Sequence, residues 1–475
     1  MSSSVNNKLT PFAVFLFILA SVLIISPLFQ QGWFIDGLIY KTVATNYLSE
    51  DARFWEMKFN DVSMNPFYEQ PPLFFIATAI FYKIFGNGFL TDKFLTLIYL
   101  GLSIFFLFKI CKHFFKEDKP AFYIVLFLLL TIPVFCWTYV NQVIEVLVLP
   151  LVLSAFYFFL QFRKSEKISQ HTFYLVCFSA SVILLFLTKG FQSCFIAIAP
   201  FLFFVFLKDK KSLLFGILSA TLILAMLYFL IFIHEPSKVW FDNYLQKRLM
   251  ASLNNVGATT TYRAEIILRI FTELIMPIVL VTGAVIFSYI KKKTVVKNGE
   301  ERKTAVTILI IAFCGSVPFA ITLEQRGFYL VPSFPLFVLA ITLFFKEYLI
   351  SAFEIISVFF GKKIVRYTLL LLFIGSLSYW FVSPTLFKRD ENLITDLKLI
   401  KPFLISLDTV AIDGDTWNDT SLQSYLYLQN KVNVECSYSH RFYIHDRGHN
   451  TIPNKNYQKI NLGTKQYDLY IKKTN

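Results

Sequence analysis

Six short stretches of this chain carry side chains able to do chemistry. Asp36, in Gly32-Trp33-Phe34-Ile35-Asp36-Gly37, directly follows a long apolar run. Beyond it Leu38, Ile39, Val43, Ala44 and Tyr47 repeat at helical spacing, with Tyr40 among them. Asp36 therefore opens an amphipathic interfacial helix, either as its N-cap, worth about 1 kcal/mol, or as a functional carboxylate. Glu145, in Val143-Ile144-Glu145, stands about one turn into a run that is apolar through Leu160. A glutamate there must be paired, neutralised or facing a wet cavity. Lys189 lies in Leu187-Thr188-Lys189-Gly190-Phe191, and Arg326 with Tyr329 in Leu323-Glu324-Gln325-Arg326-Gly327-Phe328-Tyr329. Lys247 and Arg248 add cations in a polar loop, and Glu69 sits in Tyr68-Glu69-Gln70-Pro71-Pro72. Cations clamp phosphate, and a carboxylate can act as general base. Two acids and several cations at one lipid–water boundary suit a phosphate-bearing, lipid-linked substrate.

The elements that must position these residues are membrane helices. The chain has 475 residues, 56% apolar and only 16% charged, with 56 Phe. Apolar stretches recur at the length of about 20 residues that a helix needs to span a bilayer, where backbone groups must be satisfied internally. The formal charge of +14 would suggest nucleic acid in another context. Here the basic residues cluster at helix ends: Lys109 to Lys119, Arg163 to Lys167, Lys208 to Lys211, Lys291 to Lys303 and Lys362 to Arg366. That is the positive-inside bias and contact with anionic lipid headgroups, and it argues against a nucleic-acid partner. The six cysteines contain no CxxC, and only Cys436 lies in the C-terminal polar region, so no disulfide forms within it.

Placing each basic loop in the cytoplasm gives eleven crossings, near 11–29, 93–110, 120–138, 143–161, 172–188, 190–207, 212–233, 264–290, 304–323, 328–345 and 366–385. The first, lacking a small-x-small cleavage site, is expected to be a retained helix. Pro72 to Phe85 and Tyr348 to Phe360 are short and are expected to lie against the membrane; if both cross, the count becomes thirteen. The expected organisation is an all-α polytopic domain over 1–385, with a large first outside loop at 30–92, and a small α/β domain over 386–475. In that domain Thr409 to Asp413, Lys431 to Cys436 and Tyr467 to Lys472 read as strands, with a helix at Thr420 to Leu428. Every candidate residue then falls on the outer face.

Three of these stretches resemble a known family. Asn65-Pro66-Phe67-Tyr68-Glu69-Gln70-Pro71-Pro72-Leu73 is similar to the Glu-Lys-Pro-Pro-Leu signature of GT-C glycosyltransferases. The branch is that of the bacterial lipid A aminoarabinose transferases and their protein O-mannosyltransferase relatives. Leu187 to Gly190 resembles that branch's Leu-Thr-Lys-Gly, and Arg326 to Pro332 its Arg-x-Tyr-Tyr-Leu-Leu-Pro. Order and spacing agree over about residues 10–345. The resemblance implies inverting transfer from a polyprenyl-phosphate sugar at the periplasmic face of a bacterial inner membrane, to a lipid, glycan or protein acceptor. It implies Asp36 as leading catalytic carboxylate, Glu145 as second acid, Lys189 on the donor phosphate, and Arg326 with Tyr329 flanking it. It also implies Glu69, with His234 as an upstream candidate, at a possible divalent metal ion. This chain departs from the aminoarabinose branch in two places: Gln70 replaces Lys, and Asp242 to Arg248 lacks that branch's Glu-His pair. A transporter or flippase of lipid-linked substrates is the alternative class. It predicts internal repeats and helices broken at mid-membrane; no repeat is evident, and the candidate residues sit at outer helix ends.

Overall fold

The computed structural model describes residues 2–48, 53–116, 118–291, 299–405, 409–449 and 454–473. Among the described residues, eight helices are long and apolar enough to cross a membrane: Leu9–Phe29, Thr91–Phe115, Glu145–Lys164, Ile168–Lys189, Lys210–Phe232, Gly299–Ile321, Gly327–Phe344 and Lys363–Thr385. Three expected spans take other forms. The segment near 120–138 is two helices, Lys119–Leu130 and Pro133–Asn141, bent by 75°. Pro133 explains the break: it lacks an N–H and forces Ile132 into an extended conformation. Glu265–Glu273 and Ile275–Ile290 are likewise bent, by 48°. Phe191–Leu207 begins as a 3-10 helix and falls short of a span. Against the eleven to thirteen crossings expected, the described residues hold eight continuous spans by length and composition, or up to ten if each bent pair is one span. Leu73–Phe85 and Lys346–Phe360 have 13 and 15 residues, too few for the roughly 20 of a crossing.

The spans Glu145–Lys164 and Gly327–Phe344 are the most enclosed, whereas Lys363–Thr385 presents Leu371 and Phe381 outward. Large apolar side chains on outer faces are what a multi-pass membrane protein offers to lipid. At one end of the bundle the basic loops are tied down by acids. Arg163 meets Asp209 at 2.6 Å, and Lys346 meets Asp118 at 2.9 Å and Glu301 at 3.5 Å. The basic run from Lys291 includes 292–298, which lie outside the described residues.

At the opposite end stands the C-terminal α/β unit. Its five strands are β1 (Thr409–Ile412), β2 (Asn433–Glu435), β3 (Phe442–Asp446), β4 (Tyr457–Ile460) and β5 (Tyr467–Lys472), in the order β2-β1-β3-β5-β4. The first three are parallel; β5 runs antiparallel to both β3 and β4. Three strands and the helix Thr420–Asn430 lie where the sequence puts them. β3, β4 and the helix Glu391–Ile400 are additional. The unit's apolar core includes Val410, Ile412, Leu422, Ile444 and Leu469, and it takes in Leu38 from the helix that carries Asp36.

Candidate functional site

Asp36 owes its place to a helix held from two sides. The helix is Ile35–Asn46, and its N-cap is Phe34 in an extended conformation, with no capping side chain. Asp36 is the second helical residue, so the capping reading fails: its carboxylate favours the helix dipole but caps nothing. On one side Leu38 enters the core of the α/β unit. On the other, Gly37 packs so tightly that a β-carbon there would lie 2.5 Å from the Asn141 carbonyl. Preceding it, the Trp33 indole N–H donates to Asp92 (3.1 Å) and to Gln142 (3.0 Å), and its backbone N–H donates to Tyr425 (3.3 Å). Gln31 pairs with Leu386 and Lys388 through backbone hydrogen bonds of 2.8 and 3.0 Å. Among the described residues, no hydrogen bond or ion pair engages the Asp36 carboxylate.

Around it the candidate residues converge. Burial raises the pKa of Asp36 above its ordinary 3.8, and the charges of Lys189, Arg326 and Arg248 partly oppose this. Tyr40, four residues on, is buried; burial and the Asp36 charge push its hydroxyl well above the ordinary phenol value. It stays protonated and remains a donor.

Arg248 sits in the π-helical turn Leu245–Met250. It pairs with Glu324 at 2.5 Å and with Glu69 at 3.3 Å. Burial alone would lower its pKa, but Glu324 and Glu69 outweigh it and hold the guanidinium more firmly charged. Tyr329 donates to Glu324 at 3.2 Å. Arg326 is exposed beside them, and Lys247 lies 4.9 Å from the Tyr68 ring. Glu324 links Arg248 and Tyr329, and its only sequence signal is an acid two residues before an outer arginine.

Of the three states open to Glu145, paired, neutralised or facing a wet cavity, the structure shows the paired one, with Lys189. Lys189 ends its helix, and Gly190 follows at φ +73° with Tyr244 packed where a side chain would go. The Lys189 ammonium donates to the Glu145 carboxylate and lies 4.2 Å from the Tyr329 ring centroid. Glu145 is fully buried, and its second oxygen has no hydrogen-bond partner. Expected as a second catalytic acid, it stands here enclosed as the counter-ion of Lys189. Glu69 is committed to Arg248, and His234 is exposed at the N-cap of Glu235–Tyr244. Among the described residues, neither belongs to a cluster with metal-ligand spacing.

Arg248, Glu324 and Tyr329 form the polar end of a cavity of about 360 Å³. Gln192, Ser252 and Thr322 also line it, and the rest is largely apolar, including Phe191, Phe195, Leu253, Pro318 and Ile321. A charged head beside an apolar trough fits an amphipathic molecule with an anionic group.

Comparisons with known proteins bear on this geometry. Residues 69–234 match the family model described as dolichyl-phosphate-mannose-protein mannosyltransferase. The fold is that of ArnT from Cupriavidus metallidurans. The structure of that protein bound to undecaprenyl phosphate superposes with a TM-score of 0.68, at 10% identity and covering 97% of both chains. Its apo structure gives a TM-score of 0.64 at 11% identity, covering 98% of both. No curated protein matches the sequence.

Proposed function

We propose that this protein is an integral-membrane glycosyltransferase that moves a sugar from a polyprenyl-phosphate donor to an envelope acceptor at the periplasmic face of a bacterial inner membrane. The observation that carries this reading is an unengaged carboxylate, Asp36, under the positive charges of Lys189, Arg326 and Arg248, the last of which lines a largely apolar cavity. The match of 69–234 to a lipid-phosphate-sugar transferase family supports it, as does the fold shared with a protein captured on undecaprenyl phosphate.

In this reading the prenyl chain lies along the apolar wall and the phosphate meets Arg248, with Arg326 and Lys247 at the entrance. An acceptor oxygen attacks the anomeric carbon as its proton passes to Asp36. The carbon–oxygen bond to phosphate breaks, and the leaving polyprenyl phosphate keeps the electron pair. One displacement of this kind inverts the anomeric centre. Because the leaving group is a stabilised phosphate, positioning, a base and fixed positive charge suffice. Lys189, aimed by Glu145, supplies part of that charge. The acceptor is a lipid, glycan or protein.

Undecaprenyl phosphate titrated into the purified protein in detergent and followed by native mass spectrometry tests the donor site. One bound lipid per chain is expected, with affinity lowered about tenfold or more in Arg248→Ala, the scale of a lost charge-assisted hydrogen bond. Equal binding by both proteins would overturn the assignment.

A further inference from the structure

The α/β unit carries a second cluster of chemically able side chains, outside the site described above. Beyond β1 the chain turns through Asp413-Gly414-Asp415, at the carboxyl end of the parallel strands β2-β1-β3. Open α/β sheets bind their ligands at that end. His445 lies in β3, and His449 in the turn after it. Ligand atoms of Asp413, Asp415 and His449 all fall within 4.8 Å of one another.

The support around them is preformed. Asp413 is buried, and Thr416 holds both its oxygens: its amide donates to one at 2.7 Å and its hydroxyl to the other at 2.7 Å. The same hydroxyl lies 3.1 Å from Nδ1 of His449, which is 3.5 Å from Asp413. Such outer partners fix ligand orientation at metal centres.

An independent observation comes from His445. It is only 8% exposed, yet its Nδ1 has no hydrogen-bond partner. That nitrogen faces Asp413 at 3.7 Å, too far for a hydrogen bond. An unsatisfied buried polar atom costs about 1–3 kcal/mol, so the cluster lacks a partner that this nitrogen could ligate.

We propose that Asp413, Asp415, His445 and His449 bind one divalent transition-metal ion of the zinc class. Two carboxylates balance the ion's charge, and two imidazoles favour zinc and its neighbours over calcium and magnesium, which take oxygen ligands. Asp413, Asp415 and His449 already share one cluster, and ligand bonds of about 2.0–2.2 Å require these side chains to close on the ion and His445, now 3.7 Å from Asp413, to join them. Exposed Asp415 leaves an entry path. The ion ties the turn after β1 to the end of β3 and so pins the carboxyl ends of two interior strands.

The test is calorimetric titration of the full-length, chelator-treated protein in detergent with zinc chloride, with bound metal counted by elemental analysis. About one zinc per chain is expected, with a higher melting temperature on binding and no binding of magnesium. Asp415→Asn and His449→Ala should each weaken zinc at least tenfold and lose the melting shift. Both residues lie outside the sheet's apolar core, and the variants' metal-free melting temperatures should match the parent's. Substoichiometric zinc, or unchanged affinity in both variants, would overturn the site.

Discussion

The two ends of the helical bundle hold charge in opposite ways. At the basic end two cations meet acids near the surface: Arg163 with Asp209, and Lys346 with Asp118 and Glu301. These side chains are 15–35% exposed, and such pairs contribute little to stability. At the other end Glu145 is fully buried with one oxygen unsatisfied, and Lys189 is nearly so. Asp36 is half-buried among cations without pairing to any of them. Charge satisfied at a surface orients a membrane protein; charge enclosed and left incomplete at a cavity is an arrangement that binding or reaction can complete.

Substitutions can break this contrast. The largest effect is expected at Asp36. Asn should lower sugar transfer about 10²–10⁴-fold, the range for a general base. It should not lower the melting temperature, because the fold raises the carboxyl pKa and so disfavours the ionised form at neutral pH. Next comes the buried pair. Glu145→Gln strands the Lys189 ammonium and should destabilise by about 3–5 kcal/mol, read as a large fall in melting temperature. Glu145→Gln combined with Lys189→Met should recover much of that stability without recovering turnover. The smallest effect belongs to the basic end: Arg163→Ala should cost about 1 kcal/mol or less and leave transfer unchanged. A strong loss of turnover there would erase the distinction between the ends.

Much of this was legible in the sequence, because a bilayer imposes length and hydropathy on anything that crosses it. The long spans and the strand Tyr467–Lys472 follow from those patterns. Asp36, Arg248, Arg326 and Tyr329 could be grouped because each sits at a helix end on the same side. The break before Pro133 was signalled by the proline, but an apolar run on both sides masked it. β3 and β4 are short and interrupted by charge, so their alternation is weak; β4 exposes Gln458 and Lys459 between Tyr457 and Ile460. What spacing could not reveal is which charges neutralise each other. Glu145 and Lys189 lie 44 positions apart, and Arg248 and Glu324 76. Only the packed bundle decides that Glu145 is spent on Lys189 while Asp36 remains unengaged.

The most direct measurement is the single-turnover transfer rate across pH, for the parent and for Asp36→Asn, with a polyprenyl-phosphate-linked sugar. The raised pKa means that Asp36 takes up its proton as pH falls through a value above 3.8, and the base is lost below it. The parent should therefore show an acidic limb with its midpoint above 3.8, and the Asn variant a slow rate without that limb. A parent-like rate, or the same limb retained in Asp36→Asn, would contradict Asp36 as the base.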